Sequence, residues 1–343
     1  MHRRRAVRPV TTRGCMLAGW GSALPDRVVT NFDLTTILDT SDEWIMERSG
    51  IHARRTATGP FVDEQPVDHP DDGVGTTVSL AVDAGRQALQ SAGVAGADVD
   101  LLILCTTTPD QLIPASSAAA AAALGITRGA MDLNAACAGF SYGLVTAAGF
   151  VCSGAQRVLL IGAETLTRAV DWSDRTNAFL FGDGAGAFVL ESIAGEGSLL
   201  GWDLGVDGSL AELLYADHGS KIVMNGREVF RRAVRVTVES AKAALERAKV
   251  SPEELALFVP HQANSRIMEA VAERLGVGDE RIASVIEWTG NTSSASIPLA
   301  LIEAASKGRL ADGDLVLLAG FGAGMTWSSV VWRWTGGAVV PVP

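Results

Sequence analysis

Three things are missing from this chain of 343 residues: metal-type cysteine pairs, an excess of basic charge, and an apolar run free of polar interruptions and long enough to span a membrane. Its four cysteines, Cys15, Cys105, Cys137 and Cys152, show none of the short paired spacings that zinc sites use. A chain of this length buries enough core to dispense with disulfide staples, so a reducing, cytoplasmic setting is expected. Acidic residues outnumber basic ones, 39 to 28, for a formal net charge of −11, which argues against nucleic-acid binding and confines any basic docking patch to a local surface. There is no Gly-Lys-Ser/Thr phosphate loop and no histidine-glutamate zinc motif, so neither a nucleoside triphosphate nor a metal is implied. The uncharged stretch 133–156 is interrupted by Asn134, Ser141, Ser153 and several glycines, and reads as a buried central helix rather than a membrane span. Met1-His-Arg-Arg-Arg is basic, but the apolar residues that follow are broken by Gly19, Gly21 and Pro25, a poor secretory signal. Residues 1–14 are expected to be a disordered extension.

What is present is an alternation of apolar strands and helices, stated twice. A strand near Cys15 to Gly19 precedes a capped helix opening at Thr40 or Ser41 and carrying Trp44, Ile45 and Arg48. Residues 59–75, rich in Pro, Asp and Gly, read as a surface loop. A helix over 76–92 leads to a strand over 100–105; the cysteine-bearing segment, a strand over 157–161 and the run 181–190 follow. The second half repeats this order: a helix over 229–248, a strand over 255–259, a helix from Val285 through Ser306, and a strand over 315–318. Measured to Ser153-Gly154 and Lys307-Gly308, Cys137 and Asn291 fall at matching places. The expected architecture is a duplicated α/β unit with halves 15–198 and 199–343, whose facing strand-to-helix turns would form the ligand site.

Met131-Asp-Leu-Asn-Ala-Ala-Cys137-Ala-Gly-Phe joins a short strand to an apolar helix, and small residues leave the thiol uncrowded. A cysteine at a helix N-terminus is biased towards thiolate by the dipole and the free N–H groups, which suits attack on a carbonyl carbon; taken alone, the segment fits a small buried hydrophobe better. His261, directly after a buried strand, and Asn291 occupy corresponding turns, so a thiol, an imidazole and an amide can converge to form a thioester and hydrogen-bond an oxyanion. Gly320-Phe-Gly-Ala-Gly-Met-Thr-Trp327 can aim a backbone N–H at the same place. Two competing motifs are weaker. Gly139-Phe-Ser-Tyr-Gly143 matches the serine nucleophile elbow, with Asp207 and His261 following in hydrolase order, but Ser141 lies a turn inside the helix. Gly182-Asp-Gly-Ala-Gly186 leads into a strand, so it lacks the helix N-terminus that would hold a pyrophosphate.

Four stretches together resemble β-ketoacyl-acyl carrier protein synthase III, of the thiolase-like ketosynthase superfamily: Thr40-Ser-Asp-Glu-Trp-Ile, Ala135-Ala-Cys-Ala-Gly-Phe, Val259-Pro-His-Gln-Ala-Asn, and Gly290-Asn-Thr-Ser with Ser296-Ile-Pro. The likeness runs in order from about residue 16 to 334. It implies a five-layer αβαβα fold, a homodimer, and an acyltransferase that condenses an acyl-CoA primer with malonyl-acyl carrier protein, without metal or redox cofactor, to begin fatty-acid or polyketide synthesis. By the same resemblance Cys137 carries the acyl group, the N–H groups of Cys137 and Ala323 form the oxyanion hole, and His261 and Asn291 hold the malonyl thioester oxygen. Asparagine at 291 is similar to this family; elongating ketosynthases use a second histidine.

Carried over further, Trp44 and Arg175 would sandwich the adenine of CoA, Arg48 would meet its phosphates and Asn264 its pantetheine arm. Trp44 fits simple core packing as well. Among Arg231, Arg232, Arg235, Arg266 and Arg274, the family's carrier-protein docking positions match Arg231, Arg266 and Arg274; a solvated helix face accounts for them almost equally. Ile113 precedes Pro114 where acetyl-selective members have a phenylalanine reaching the partner's acyl pocket, so primers larger than acetyl are expected. The loop 59–75 is longer than in compact members. The alternatives are a pathway-specific relative that primes a polyketide or transfers an acyl group without condensation, and, remotely, a serine hydrolase using Ser141.

Overall fold

The computed structural model describes residues 13–59 and 75–335. The expectation of a disordered start falls outside these except for Arg13 and Gly14, which belong to the first strand; the loop expected over 59–75 lies outside them apart from its two end glycines. The first half contains β1 (Arg13–Ala23), α1 (Asp42–Ser49), α2 (Thr77–Ala92), β2 (Leu101–Cys105), α3 (Ser116–Leu124), β3 (Gly129–Leu133), α4 (Gly139–Cys152), β4 (Arg157–Thr165) and β5 (Asp183–Ala194). The second contains β6 (Leu199–Val206), α5 (Gly226–Ala248), β7 (Leu255–Pro260), α6 (Ser265–Leu275), α7 (Ser296–Ser306), β8 (Leu315–Gly322) and β9 (Thr326–Arg333).

The two sheets share one topology. Strand order is β1-β5-β4-β2-β3 in the first and β6-β9-β8-β7 in the second, with matching parallel and antiparallel pairs. The place of β3 is taken in the second sheet by a single parallel bridge between Phe258 and Ile282. Strand side chains alternate between two buried surfaces. Ile103, Val158, Leu160, Val316 and Leu318 face the centre, while Leu102, Leu104, Leu159, Ile161, Leu317 and Ala319 face outwards under helices. Burial on both faces explains why these strands read as unbroken apolar runs.

Between the sheets lie α4 and α7, whose Phe140, Leu144, Ala147, Ile297, Leu301 and Ala304 share one core with both inner faces. Two outer helices cover each sheet: α2 and α3 on the first, α5 and α6 on the second. The layers run αβαβα, the thiolase-like arrangement. The absence of charge in α4 follows from its position in the central layer, packed against both sheets. Among the described residues no helix is long and apolar enough to cross a membrane.

Local signals behave as their chemistry requires. Ser41 caps α1 by accepting the Trp44 N–H, and Thr76 and Ser79 form a reciprocal capping box at α2. The helix expected from Val285 through Ser306 is broken instead. A short helix Ile286–Thr289 stops at Gly290, whose φ of +67° favours glycine, and α7 begins only at Ser296.

Candidate active site

Cys137 sits in a 3₁₀ turn, Ala136–Ala138, that feeds α4, and the second half repeats this turn as Ser293–Ala295 feeding α7. Each begins at a non-glycine residue with positive φ, Ala136 at 49° and Ser293 at 48°. Two residues before each, an asparagine Oδ1 accepts that residue's backbone N–H: Asn134 from Ala136 at 3.1 Å and Asn291 from Ser293 at 2.9 Å. The repeat therefore pairs Asn291 with Asn134, and Cys137 with Ser294. This corrects the register expected from the helix ends: α7 spans 11 residues and α4 spans 14, so counting back from their C-termini misplaces the turn by three.

The Asn291 main chain is clamped to the first half. Its N–H donates to Leu180 O at 2.8 Å and its carbonyl accepts from Gly182 N–H at 3.0 Å. Because Oδ1 is committed to Ser293, the Nδ2 group is the part of the amide left for the cavity. His261 follows β7, its N–H bonded to Ala319 O at 2.8 Å. Its side chain is buried, lies edge-on to Phe321 with ring centroids 5.6 Å apart, and places Nδ1 2.6 Å from Ser296 Oγ. Ser296 Oγ also accepts the Gln262 N–H at 3.3 Å; the tautomer in which the Ser296 hydroxyl donates to Nδ1 carries the ring proton on Nε2, as a hydrogen-bond donor. Burial pushes the imidazole down to about 3, so it is neutral.

Burial likewise pushes the Cys137 thiol up to about 12; contact with the Ser293 hydroxyl opposes this and the nearby Glu164 carboxylate adds to it. Cys137 is half-buried, and desolvation of its sulfur works against the thiolate bias expected at a helix end. The chain approaches Cys137 again at the end of β8. A Cβ added to Gly322 would lie 2.5 Å from Cys137 N, so only glycine lets this turn pass, and Ala323 follows it.

Cys137 lies where two cavities meet. A larger one, about 770 Å³, is bordered by Trp44, Arg48, Arg175, His261, Asn264, Arg266 and Asn291 as well as Cys137. A smaller one, about 460 Å³, extends past Cys137 along Thr107, Leu166, Phe181, Ile222, Ser293 and Ala323. At the mouth of the larger cavity the Arg48 and Arg175 guanidinium carbons stand 4.5 and 5.2 Å from the Trp44 ring centroid, and Arg175 pairs with Asp39 at 3.1 Å. Both guanidinium groups thus lie over the Trp44 ring. Asn264 caps α6 by accepting the Arg266 N–H at 3.0 Å and donates to Arg48 O at 2.6 Å.

Some expected residues stand apart. Ile113 is 84% exposed and borders neither cavity. Arg231 and Arg274 are exposed on α5 and α6, with Arg231 held by Glu228 at 2.6 Å. Ser141 is fully buried inside α4 and borders neither cavity, and Asp207 is spent capping Ser209. The hydrolase reading lacks an accessible nucleophile.

Comparison with known proteins accords with this geometry. The family model described as 3-oxoacyl-[acyl-carrier-protein] synthase III matches residues 131–208, and its C-terminal counterpart matches 245–334. The beta-ketoacyl-[acyl-carrier-protein] synthase III 1 of Bacillus anthracis is 45% identical over 320 residues, 93% of this chain and 98% of that protein. The chain belongs to the 3-oxoacyl-[acyl-carrier-protein] synthase III family. A synthase III of Listeria monocytogenes is 46% identical over the same share of this chain. Among solved structures, the synthase III of Aquifex aeolicus VF5 superposes with a TM-score of 0.87 at 43% identity, covering 94% of this chain and 100% of that one. The priming β-ketosynthase of the R1128 polyketide pathway also gives 0.87, at 36% identity, covering 97% of this chain and 99% of its own. As a synthase III the protein is a condensing acyltransferase.

Glu164 escaped sequence reasoning, while Gln262, Ser293, Ser296, Phe321 and Gly322 lay within the quoted stretches without a role of their own. Glu164 had a legible signal, a charge near the end of the apolar strand 158–163. The hydroxyl-rich run Thr292-Ser-Ser-Ala-Ser296 was another.

Proposed function

We propose that the protein begins fatty-acid synthesis by joining an acyl-CoA primer to malonyl-acyl carrier protein, with Cys137 as the acyl carrier. The observation that carries this reading is the position of Cys137 at the junction of two cavities, one bordered by His261 and Asn291 and the other free to receive an acyl chain. CoA enters through the larger cavity, its adenine stacking on Trp44 and Arg175, its phosphates meeting Arg48 and its pantetheine arm passing Asn264. The Cys137 sulfur attacks the thioester carbonyl, whose oxygen takes the N–H groups of Cys137 and Ala323. The carbon–sulfur bond to CoA breaks, and the departing CoA sulfur gains the proton that the thiol loses.

Malonyl-carrier protein then uses the same entrance. Its carbon–carboxylate bond breaks, CO₂ leaves, and the electron pair moves onto the thioester oxygen. Asn291 Nδ2 and His261 Nε2 donate to that oxygen, both as neutral groups; fixed donors of this kind are worth about 3–4 kcal/mol each in a dry site. The resulting carbanion attacks the acyl carbonyl, the bond to Cys137 sulfur breaks, the sulfur takes up a proton from water to return to the thiol, and the β-ketoacyl product departs on the carrier protein. No redox cofactor enters this scheme.

Arg266 borders the larger cavity, and with Arg231 and Arg274 it forms the docking face for an acidic carrier protein. Two copies associate so that the exposed Ile113 of one closes the smaller cavity of the other, and isoleucine there leaves room for primers of four carbons and more. The chain divides into halves 15–198 and 199–343, which the repeated sheet order supports. Intact-mass measurement tests the assignment. An acyl adduct on Cys137, absent from Cys137→Ala, is expected with C4 and branched acyl-CoA; strong preference for acetyl-CoA would contradict the primer assignment.

A further inference from the structure

The next-to-last residue of β4, after the apolar run 158–163, is a fully buried carboxylate, Glu164, which no step above uses. It gathers donors from both halves of the molecule. From the loop after β2 come Thr106 Oγ1 at 3.2 Å, the Thr107 N–H and Oγ1 at 3.0 Å each, and Thr108 Oγ1 at 2.7 Å. From the turn before α7 come Ser293 Oγ at 3.0 Å and Ser294 Oγ at 2.9 Å. A carboxylate only accepts, so Ser293 is the donor in this bond, and its single hydroxyl hydrogen is divided between Glu164 and the Cys137 sulfur that it also contacts.

Ser293 is also the residue whose N–H holds Asn291 Oδ1, and it does so from a φ of 48° that a side-chain-bearing residue keeps only when its surroundings hold it. The bond to Glu164 adds a side-chain tether that the equivalent Ala136 lacks. A continuous path thus runs from the first sheet through Glu164 and Ser293 to the Asn291 amide.

We propose that Glu164 is a positioning residue: acting through the Ser293 hydroxyl, it holds the Asn291 amide in the orientation decarboxylation requires, so that its loss slows CO₂ release without slowing the loading of Cys137. The proposal rests on the reading that Asn291 stabilises the malonyl thioester oxygen. Its second consequence concerns the nucleophile. In the Glu164→Gln variant the negative charge beside Cys137 is gone, the new amide NH₂ can donate to Ser293 Oγ, and the Ser293 hydrogen is freed for the sulfur, so the thiol should ionise more readily.

The experiment compares Glu164→Gln, Ser293→Ala and Asn291→Ala with the unaltered protein in two half-reactions: acyl-adduct formation on Cys137, and CO₂ release from malonyl-carrier protein by pre-acylated enzyme. In Glu164→Gln, CO₂ release should fall roughly 10- to 100-fold while loading is not slowed, and Ser293→Ala should show the same fall in CO₂ release. The pH profile of Cys137 alkylation should move to lower pH in Glu164→Gln, a shift that simple destabilisation would not produce. Unchanged CO₂ release in both variants, or an equal fall in both half-reactions in Glu164→Gln, would overturn the proposal. If Asn291→Ala itself released CO₂ normally, the reading of Asn291 would fail and the proposal with it.

Discussion

At Cys137 and His261 burial acts on ordinary proton affinities in opposite directions, raising the thiol and lowering the imidazole, so that both side chains are neutral near pH 7. The cysteine then has to lose its proton during attack, and the histidine serves as a hydrogen-bond donor rather than as a cation or a base. The sign for stability follows from linkage. Since the folded-state value of His261 is depressed from 6.5 to about 3, stability present above 6.5 is lost as pH falls through that window, because the unfolded chain takes up a proton that the folded chain does not. For the reaction, CO₂ release by pre-acylated enzyme should show no histidine ionisation between about pH 5 and 8. An inflection there that disappears in His261→Gln would contradict the neutral-donor role.

The catalytic elements are turns held from several directions, and they show how far sequence patterns reach. Helix α2, the capping serine of α1 and the apolar strands were legible because propensity, capping chemistry and periodicity agree locally. The duplication was legible from the same patterns. The register of its second turn was not, since a three-residue difference in helix length leaves no mark on an apolar run. Cys137, His261 and Asn291 stood out as reactive types after strand ends. Glu164 showed only as a charge at the end of an apolar run, and its role was not legible because its second-half partners Ser293 and Ser294 lie 129 and 130 residues away in the chain. At this scale a tight constraint at the nucleophile is Gly322 against the Cys137 backbone. Gly322→Ala should destabilise by about 1–3 kcal/mol in denaturant melts and slow Cys137 loading, because backbone cannot yield as a flexible side chain can. An alanine variant with unaltered stability and loading would show that the turn has slack.

Across the whole molecule, two sheets of one topology enclose α4 and α7, and the two halves meet at the cavity edge, where Cys137 comes from one and His261 and Asn291 from the other. The chain carries net charge −11, so attraction of an acidic carrier protein has to come from a local face. Charge reversal by Arg266→Glu with Arg274→Glu should raise the KM for malonyl-carrier protein roughly tenfold and leave acylation by acyl-CoA intact; an unchanged KM would move docking elsewhere. The central claim is that one cysteine carries the primer and a decarboxylated malonyl unit removes it. Intact-mass measurement of the acyl-Cys137 enzyme, chased with malonyl-carrier protein while CO₂ is counted, tests it most directly. The adduct should vanish with one CO₂ and one β-ketoacyl-carrier protein formed per acyl group lost. Loss of the adduct without CO₂ would mean plain acyl transfer, and an adduct that persists, or forms in Cys137→Ala, would contradict the assignment of the nucleophile.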